Sequence, residues 1–272
     1  MKYPGVFTAE YRSGRKYYRS SVTFHNKHIS LGSYKSAKAA ARAYRDALDV
    51  LHDPDSVISS YQETRALSFC KWVVLCNFRD NGIYIANPVY IRPRFFYYYI
   101  SPDIFFTFDQ EELFYYSAHT IMKRGGHYFV SDYGMQLSVN QRYGIHAYAV
   151  MGRDYSFRNG NPFDMRSVNL EIINPYHGVR RISAPEGIRY EARIHINGYC
   201  RIGVYASPEE AAVAYNRAVD IVTASGILKH YQTNFIESVS ASVYAEMYRT
   251  LNISPGLMKV CRRVSARKNQ SC

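Results

Sequence analysis

No apolar run in this sequence approaches the roughly 18–20 residues that a membrane helix needs, so a soluble chain with no membrane partner is expected. There is also no Cys-x-x-Cys pair. Five cysteines (Cys70, Cys76, Cys200, Cys261, Cys272) are scattered and odd in number, which argues against a disulfide framework or a structural zinc site. They are expected as small buried hydrophobes, and no metal or cofactor is expected. Trp72 is the only tryptophan. No long acidic or low-complexity stretch occurs. The opening MKYPGVF enters patterned sequence almost at once, which leaves no room for a signal peptide and counts less strongly against organelle import.

Acidic residues are missing where basic ones gather. Of the formal net charge of +12 on 272 residues, residues 1–52 carry +7 and residues 251–272 carry +5, while residues 53–250 balance. The last stretch holds Lys259, Arg262, Arg263, Arg267 and Lys268 and no acid. Localised positive charge interleaved with aromatics is the footprint of a phosphate-backbone binder. Hydrophobic residues at 47% predict a folded chain, and its length suits two or three small domains.

One short plan occurs twice. Tyr-Pro-Gly-Val, a basic stretch, Leu-Gly-Ser-Tyr and AKAAARAYRDALDVL fill residues 3–51; Tyr-His-Gly-Val, a basic stretch, Ile-Gly-Val-Tyr and PEEAAVAYNRAVDIV fill 176–222. Gly5, Tyr18, Gly32, Tyr34, Ala43, Tyr44 and Asp49 match Gly178, Tyr190, Gly203, Tyr205, Ala214, Tyr215 and Asp220. In the second copy, alternation puts Tyr190, Ala192, Ile194 and Ile196 inward and Glu191, Arg193, His195 and Asn197 outward, a half-buried strand. In the first, Tyr18, Ser20, Val22 and Phe24 point inward, and Arg19, Ser21, Thr23 and His25 outward. The next strand turns Ile29 and Leu31 inward and His28 and Ser30 outward. A helix follows in each copy. Ser36 and Ser207 stand at N-cap positions, Pro208 suits the first turn, and Ser207 with Glu210 has capping-box spacing. The stripes Ala40, Ala43, Tyr44, Ala47 and Ala211, Ala214, Tyr215, Ala218 are read as core. Each copy is therefore a small antiparallel sheet backed by one helix.

Gly-Val opening the first strand, an aromatic opening the second, Leu-Gly-Ser-Tyr and Ala-Ala-x-Ala-Tyr together resemble the plant ethylene-response-factor, or Apetala, DNA-binding domain. The resemblance covers about a hundred residues. It implies a sheet laid in the major groove, with Arg and Trp on its outer face meeting bases and phosphates. The transfer is incomplete. Phe7, Thr8, Ala9 and Glu10 replace the family's arginine-rich first strand, which only Arg180 and Arg181 keep in the second copy. The outward tryptophan of the third strand is Ser30 in the first copy and has no clear match in the second. Phosphate contacts are expected from Arg12, Arg15, Lys16, Arg19, Lys27 and His28, and from Arg189, Arg193 and Arg201. Base reading looks eroded, which suits docking on a fixed nucleic-acid shape.

Between the copies, FCKWVVLCNF, GIYIANPVYI and RFFYYYISPDIFFTF read as strands punctuated by Gly82, Pro88, Pro93 and Pro102. Tyr97, Tyr98 and Tyr99 are read as a packed sheet face ahead of a base-stacking platform. Residues 108–174 resemble an HNH homing endonuclease, with Asn159, Gly160, Asn161, Asp164, Arg166, Asn169 and Leu170 in matching places. That resemblance implies a catalytic His at the position of Phe157, which can neither take a proton nor bind metal. The region is read as a nuclease fold kept for its shape, with no catalytic residue. His119, His127 and His146 lack ligand spacing, and Lys123 and Arg124 form a turn suited to phosphate. Near the C-terminus, Val239, Val243, Met247 and Leu251 recur every four residues as a one-faced helix, stopped by Ser254-Pro255-Gly256, before a basic tail without hydrophobic pattern.

The expected class is α+β, with two three-stranded sheets each packed on one helix, flanking a mixed β/α centre. The expected division is 1–52 and 176–235 for the modules, 53–66 for a linker, 67–175 for the central domain, and 236–272 for the C-terminal helix and tail. The function expected is a non-enzymatic binder of ribosomal RNA in a large ribonucleoprotein assembly with protein neighbours. The resemblance implies a mitochondrial ribosome, because Apetala-type proteins of apicomplexans and their relatives have been recruited there. The alternatives are a nuclear DNA-binding regulator and an HNH homing endonuclease.

Overall fold

The computed structural model describes residues 3–132, 134–147, 149–227 and 229–269, with side chains as far as residue 263. The fold is α+β, with several small three-stranded antiparallel sheets. The chain forms two compact units, residues 1–143 with 157–170, and residues 144–156 with 171–272. The stretch expected as a central domain is thus shared between them.

The first unit opens with β1 (Val6–Glu10), β2 (Lys16–Phe24) and β3 (Lys27–Tyr34) in sheet order, backed by α1 (Ala37–His52). Ser36 caps α1 by accepting from Ala39 N at 3.2 Å. Ala40, Ala43 and Ala47 are fully buried, which brings the helix close to the sheet. The expected linker is pinned. Asp46 accepts from the backbone of Ala66 and Leu67, and Arg65 reaches Asp46 and Asp49. Arg79 donates to the carbonyls of Val50, Asp53 and Ser56, closing the end of α1.

Residues 69–81 form a helix, α2 (Phe69–Asn81), where a strand is expected. Ser68 caps it, and Gly82 ends it with a left-handed φ of 70°. Trp72, Val73, Val74, Leu75, Cys76 and Phe78 are all buried, so the helix is apolar all round and shows no helical period. Trp72 Nε1 donates to Val57 O at 3.0 Å. In the next apolar stretch only β4 (Val89–Ile91) is extended, pairing with β5 (Phe95–Ser101), which pairs in turn with β6 (Ile104–Asp109). Tyr98 is buried and its hydroxyl accepts from Ile121 N, while Tyr97 lies edge-on to Phe105 and to Tyr99, and Tyr99 is tilted against Phe105. These tyrosines pack a sheet, as read. Then come α3 (Leu113–Ala118), the β7 (Ile121–Arg124), β8 (His127–Asp132), β9 (Met135–Ser138) meander and α4 (Val139–Arg142). The paired strands β10 (Tyr155–Phe157) and β11 (Leu170–Ile172) follow.

The second unit repeats the first sheet. β12 (Val179–Ala184), β13 (Gly187–His195) and β14 (Tyr199–Tyr205) lie in sheet order against α5 (Pro208–Ala224), whose capping box of Ser207 and Glu210 is complete. The copies match in detail. Each has a register shift at the equivalent step, between Ser20 and Ser21 and between Ala192 and Arg193. The extra residue on the partner strand is Leu31 or Ile202, and both are buried. Gly5 and Gly178 have φ of 66° and 73°, and a Cβ on either would overlap the ring of Tyr44 or Tyr215.

The C-terminal helices differ from expectation. α6 (Ala241–Thr250) packs through Tyr244, Met247, Tyr248 and Leu251, while Val243 is exposed. Val239, Met247 and Leu251 of the expected row pack against the core, so Val243 is the member that departs from the reading. Ser254-Pro255-Gly256 begins α7 (Pro255–Asn269), for proline fits the first turn, where its missing N–H costs nothing. Leu257 and Cys261 on α7 are buried, with Val260 packed beside them. Its first turns therefore carry a short apolar pattern. Cys76 and Cys261 are buried as expected; Cys70 is exposed.

Candidate nucleic-acid interface

Residues paired directly across strands share a face of the sheet. On the first sheet, Arg19 stands opposite Phe7 and Ser33, Ser21 opposite Ser30, and Thr23 opposite His28. These residues form the face away from α1. Ser21, expected outward, keeps that side but is buried, a small residue beside Phe7, Arg19 and His28 around a shallow depression. Only Arg19 and His28 of the six expected contacts in this copy lie here. Arg12 and Arg15 are exposed in the β1–β2 turn. Lys16 shares the parity of Tyr18, toward the helix, and faces Glu10 at 3.8 Å. Lys27 pairs with Phe24 and sits over the Tyr84 ring, 5.1 Å from its centroid. The first outer face is therefore mostly hydroxyl and aromatic.

The second outer face is cationic. Arg180 pairs with Glu191, Ile182 with Arg189, Arg193 with Arg201, and His195 with Tyr199. Glu191 is the hub, with Arg180, Arg193 and Arg201 at 3.4, 3.5 and 3.5 Å. One half-buried carboxylate thus orders three guanidinium groups across three strands. Arg193 also lies over the Tyr199 ring, and Arg189 faces Glu186 at 3.9 Å. Arg181 is a correction. It pairs with Tyr190, so its Cβ points to the helix side of the sheet, where it is exposed at the edge. Adjacent strand residues alternate, and Arg180 and Arg181 cannot share a face. The equivalent bulges also place Arg201 where the first copy has Ser30.

Lys123 and Arg124 end β7 at a tight turn, where Gly125 and Gly126 have φ of 56° and 83°. Both side chains are exposed, Lys123 over Tyr128. Lys259, Arg262 and Arg263 are exposed on α7; the side chains of Arg267 and Lys268 lie outside the described residues.

The second unit also holds a cavity of about 580 Å³ where β12 begins and β13 ends. Its outer wall is the segment 229–232, held by Asn216 and Asn234, which exchange hydrogen bonds of 2.7 and 2.9 Å. Lys229 and Tyr231 both donate to His195 O, at 3.0 and 3.1 Å. Across the cavity Arg153 is clamped by Asp154, which accepts from Val150 N and Asn174. Burial pushes the His177 imidazole below its usual range, and His146 adds to the effect. Sequence reading missed Lys229, Tyr231 and Arg153, because none lies in a periodic segment.

The residues that resemble a nuclease motif build a loop instead. Asn159 Nδ2 and Arg166 donate to the Asp164 carboxylate, and Asn169 donates to Asp164 O. Phe157 is buried in β10. Burial works to raise the Asp164 pKa, but the hydrogen bonds and charge of Arg166 outweigh it and hold the carboxyl below its usual range. These residues do not fit a catalytic metal: the carboxylate is fully engaged, and among the described residues no group of three His, Cys, Asp or Glu is placed to hold an ion. His119 stacks on Tyr115, with Nδ1 2.9 Å from its carbonyl. Because the folded pKa of Asp164 is depressed, its contribution to stability is present above the unfolded carboxyl value of about 4 and lost as pH falls through the folded one. Asp164→Asn is expected to flatten acid unfolding of the first unit below about pH 4, measured by circular dichroism. An unchanged acid limb would remove this role.

No helix among the described residues is long and apolar enough to cross a membrane. None of the family models, curated proteins or solved structures compared with the chain matches it.

Proposed function

We propose that this chain is a non-enzymatic structural protein that holds ribosomal RNA backbone within a ribosome, the mitochondrial one by its resemblance to recruited Apetala-type modules. The observation that carries the reading is the outer face of the β12–β14 sheet, where Arg180, Arg193 and Arg201 stand around the Glu191 carboxylate and Arg189 shares the face. Guanidinium groups recognise phosphate through paired donors without reading sequence. The second unit also exposes Lys259, Arg262 and Arg263 on α7, and the first unit exposes Lys123 and Arg124 at its own turn. Phe157 and the engaged Asp164 support the absence of nuclease chemistry and speak against the endonuclease reading.

The nuclear DNA-binding regulator is the second reading, favoured by the four arginines on the outer face of one three-stranded sheet. The base-reading surface of the first copy, with Ser21, Ser30 and Ser33 around Arg19, speaks against it. Crosslinking in native extract, followed by sequencing of the recovered nucleic acid, tests both. A few abundant ribosomal RNA segments in large particles are expected. Scattered genomic DNA sharing a short motif would replace this reading with the regulator, and metal-dependent nicking by the wild type would overturn it.

A further inference from the structure

The cavity in the second unit adjoins the outer sheet face, sharing Arg180, Arg193, His195 and Tyr199 with it, and reaches past the sheet to the segment 229–232. It is bounded by the start of β12, the end of β13, the start of β14 and the segment 229–232. Four cations line it: Arg153, Arg180, Arg193 and Lys229. No Asp or Glu is among its lining residues, because the acids that orient these arginines, Asp154 and Glu191, stand behind them. Lys229 has no carboxylate partner among the described residues; its ammonium lies 3.0 Å from His195 Nδ1 and 3.0 Å from His195 O. A primary ammonium placed between a ring nitrogen and a carbonyl, with arginines facing it, lacks a counter-anion.

The second component is aromatic. Tyr199 is 75% exposed at the mouth, with the Arg193 guanidinium over its ring at 5.0 Å and His195 edge-on at 5.1 Å. An exposed ring backed by a guanidinium is a stacking platform for a planar base. Tyr231 lines the opposite wall under Lys229. A volume of about 580 Å³ falls within the usual range for a small-ligand site.

We propose that this cavity binds one unpaired nucleotide, its base stacked on Tyr199 and its phosphate held by Lys229 with Arg180 and Arg193. The inference rests on the RNA-binding reading for its source, the nucleotide being one turned out of a bound RNA strand. It adds to that reading a preference for single-stranded or bulged segments that a backbone-binding sheet would not have. The walls are prebuilt, since Asn216, Asn234 and Asp154 fix the segments that carry Lys229 and Arg153.

The test measures binding of the full chain to a fluorescent oligouridylate of about a dozen nucleotides, to a fully paired RNA duplex, and to uridine monophosphate. Tyr199→Ala and Lys229→Gln are each expected to weaken oligouridylate binding about tenfold and to leave duplex binding within about twofold. Lys38→Gln, on α1 of the other unit, is expected to leave that single-strand preference unchanged. Both altered side chains are exposed, and circular dichroism verifies that the variants fold. Wild-type binding of oligouridylate that neither variant weakens would overturn the nucleotide pocket and leave the backbone reading standing. If neither RNA binds even at low salt, the RNA reading falls. Uridine monophosphate then decides the pocket: Tyr199-dependent binding would keep it, with a free nucleotide as the source, and no binding would remove it.

Discussion

Gly178→Ala is expected to destabilise the second unit by roughly 2–5 kcal/mol, the sum of left-handed strain and overpacking. The backbone at Gly178 has φ of 73°, a conformation that costs a side chain about 1–2 kcal/mol. The added Cβ would also overlap the Tyr215 ring and lie 2.8 Å from Arg193 O. Neither neighbour has room, since Tyr215 is buried and Arg193 N already donates to Gly178 O at 2.8 Å. Gly160→Ala is the control. Its φ of 75° carries the same strain, but nothing lies within 4 Å of the new Cβ. Thermal unfolding of the two variants therefore separates strain from overlap. Equal shifts would mean that the Tyr215 contact does not matter. Gly5→Ala is expected to behave in the first unit as Gly178→Ala does in the second, because Tyr44 and Ser21 O stand in the same places.

The second large effect concerns charge. Replacing Arg180, Arg193 and Arg201 together with glutamine is expected to lower RNA affinity between about tenfold and a thousandfold near physiological salt. The slope of log affinity against log salt should fall by about 2–3, one increment for each phosphate no longer neutralised. The triple variant leaves Glu191 without its partners, and a partly buried carboxylate alone is destabilising. Adding Glu191→Gln removes that complication. The same treatment of Arg19, the one arginine on the first outer face, should lower the slope by about 1. Binding titrations over a range of salt measure both. An unchanged slope in the triple variant would mean that this face is not the interface. A loss confined to one DNA sequence would favour the regulator.

The two modules are legible in the sequence because their signals are local. Alternation over Tyr190–Asn197, the serine caps at 36 and 207, and the alanine stripes each depend on residues only a few positions apart. The structure places them as read: Ala192, Ile194 and Ile196 buried, both caps made, both stripes in the core. The C-terminal region is less legible, for the proline that reads as a stop also suits a first helical turn.

What stays hidden depends on packing between segments distant in sequence. Residues 69–78 are apolar on every face, so no period distinguishes α2 from a strand; the surrounding core decides that. Arg180 and Arg181 are neighbours in a basic pair, yet register against β13 sends one to the outer face and the other to the helix side. Glu191 reads as one outward polar residue among several until cross-strand pairing brings three arginines to it. Lys229 carries no pattern, and becomes part of a cationic cavity only when Asn216 and Asn234 dock its segment beside His195. The sequence by itself determined the repeated module, its caps and the excess of positive charge. Tertiary structure decided which charges share a face, because strand register and loop docking are fixed by long-range packing.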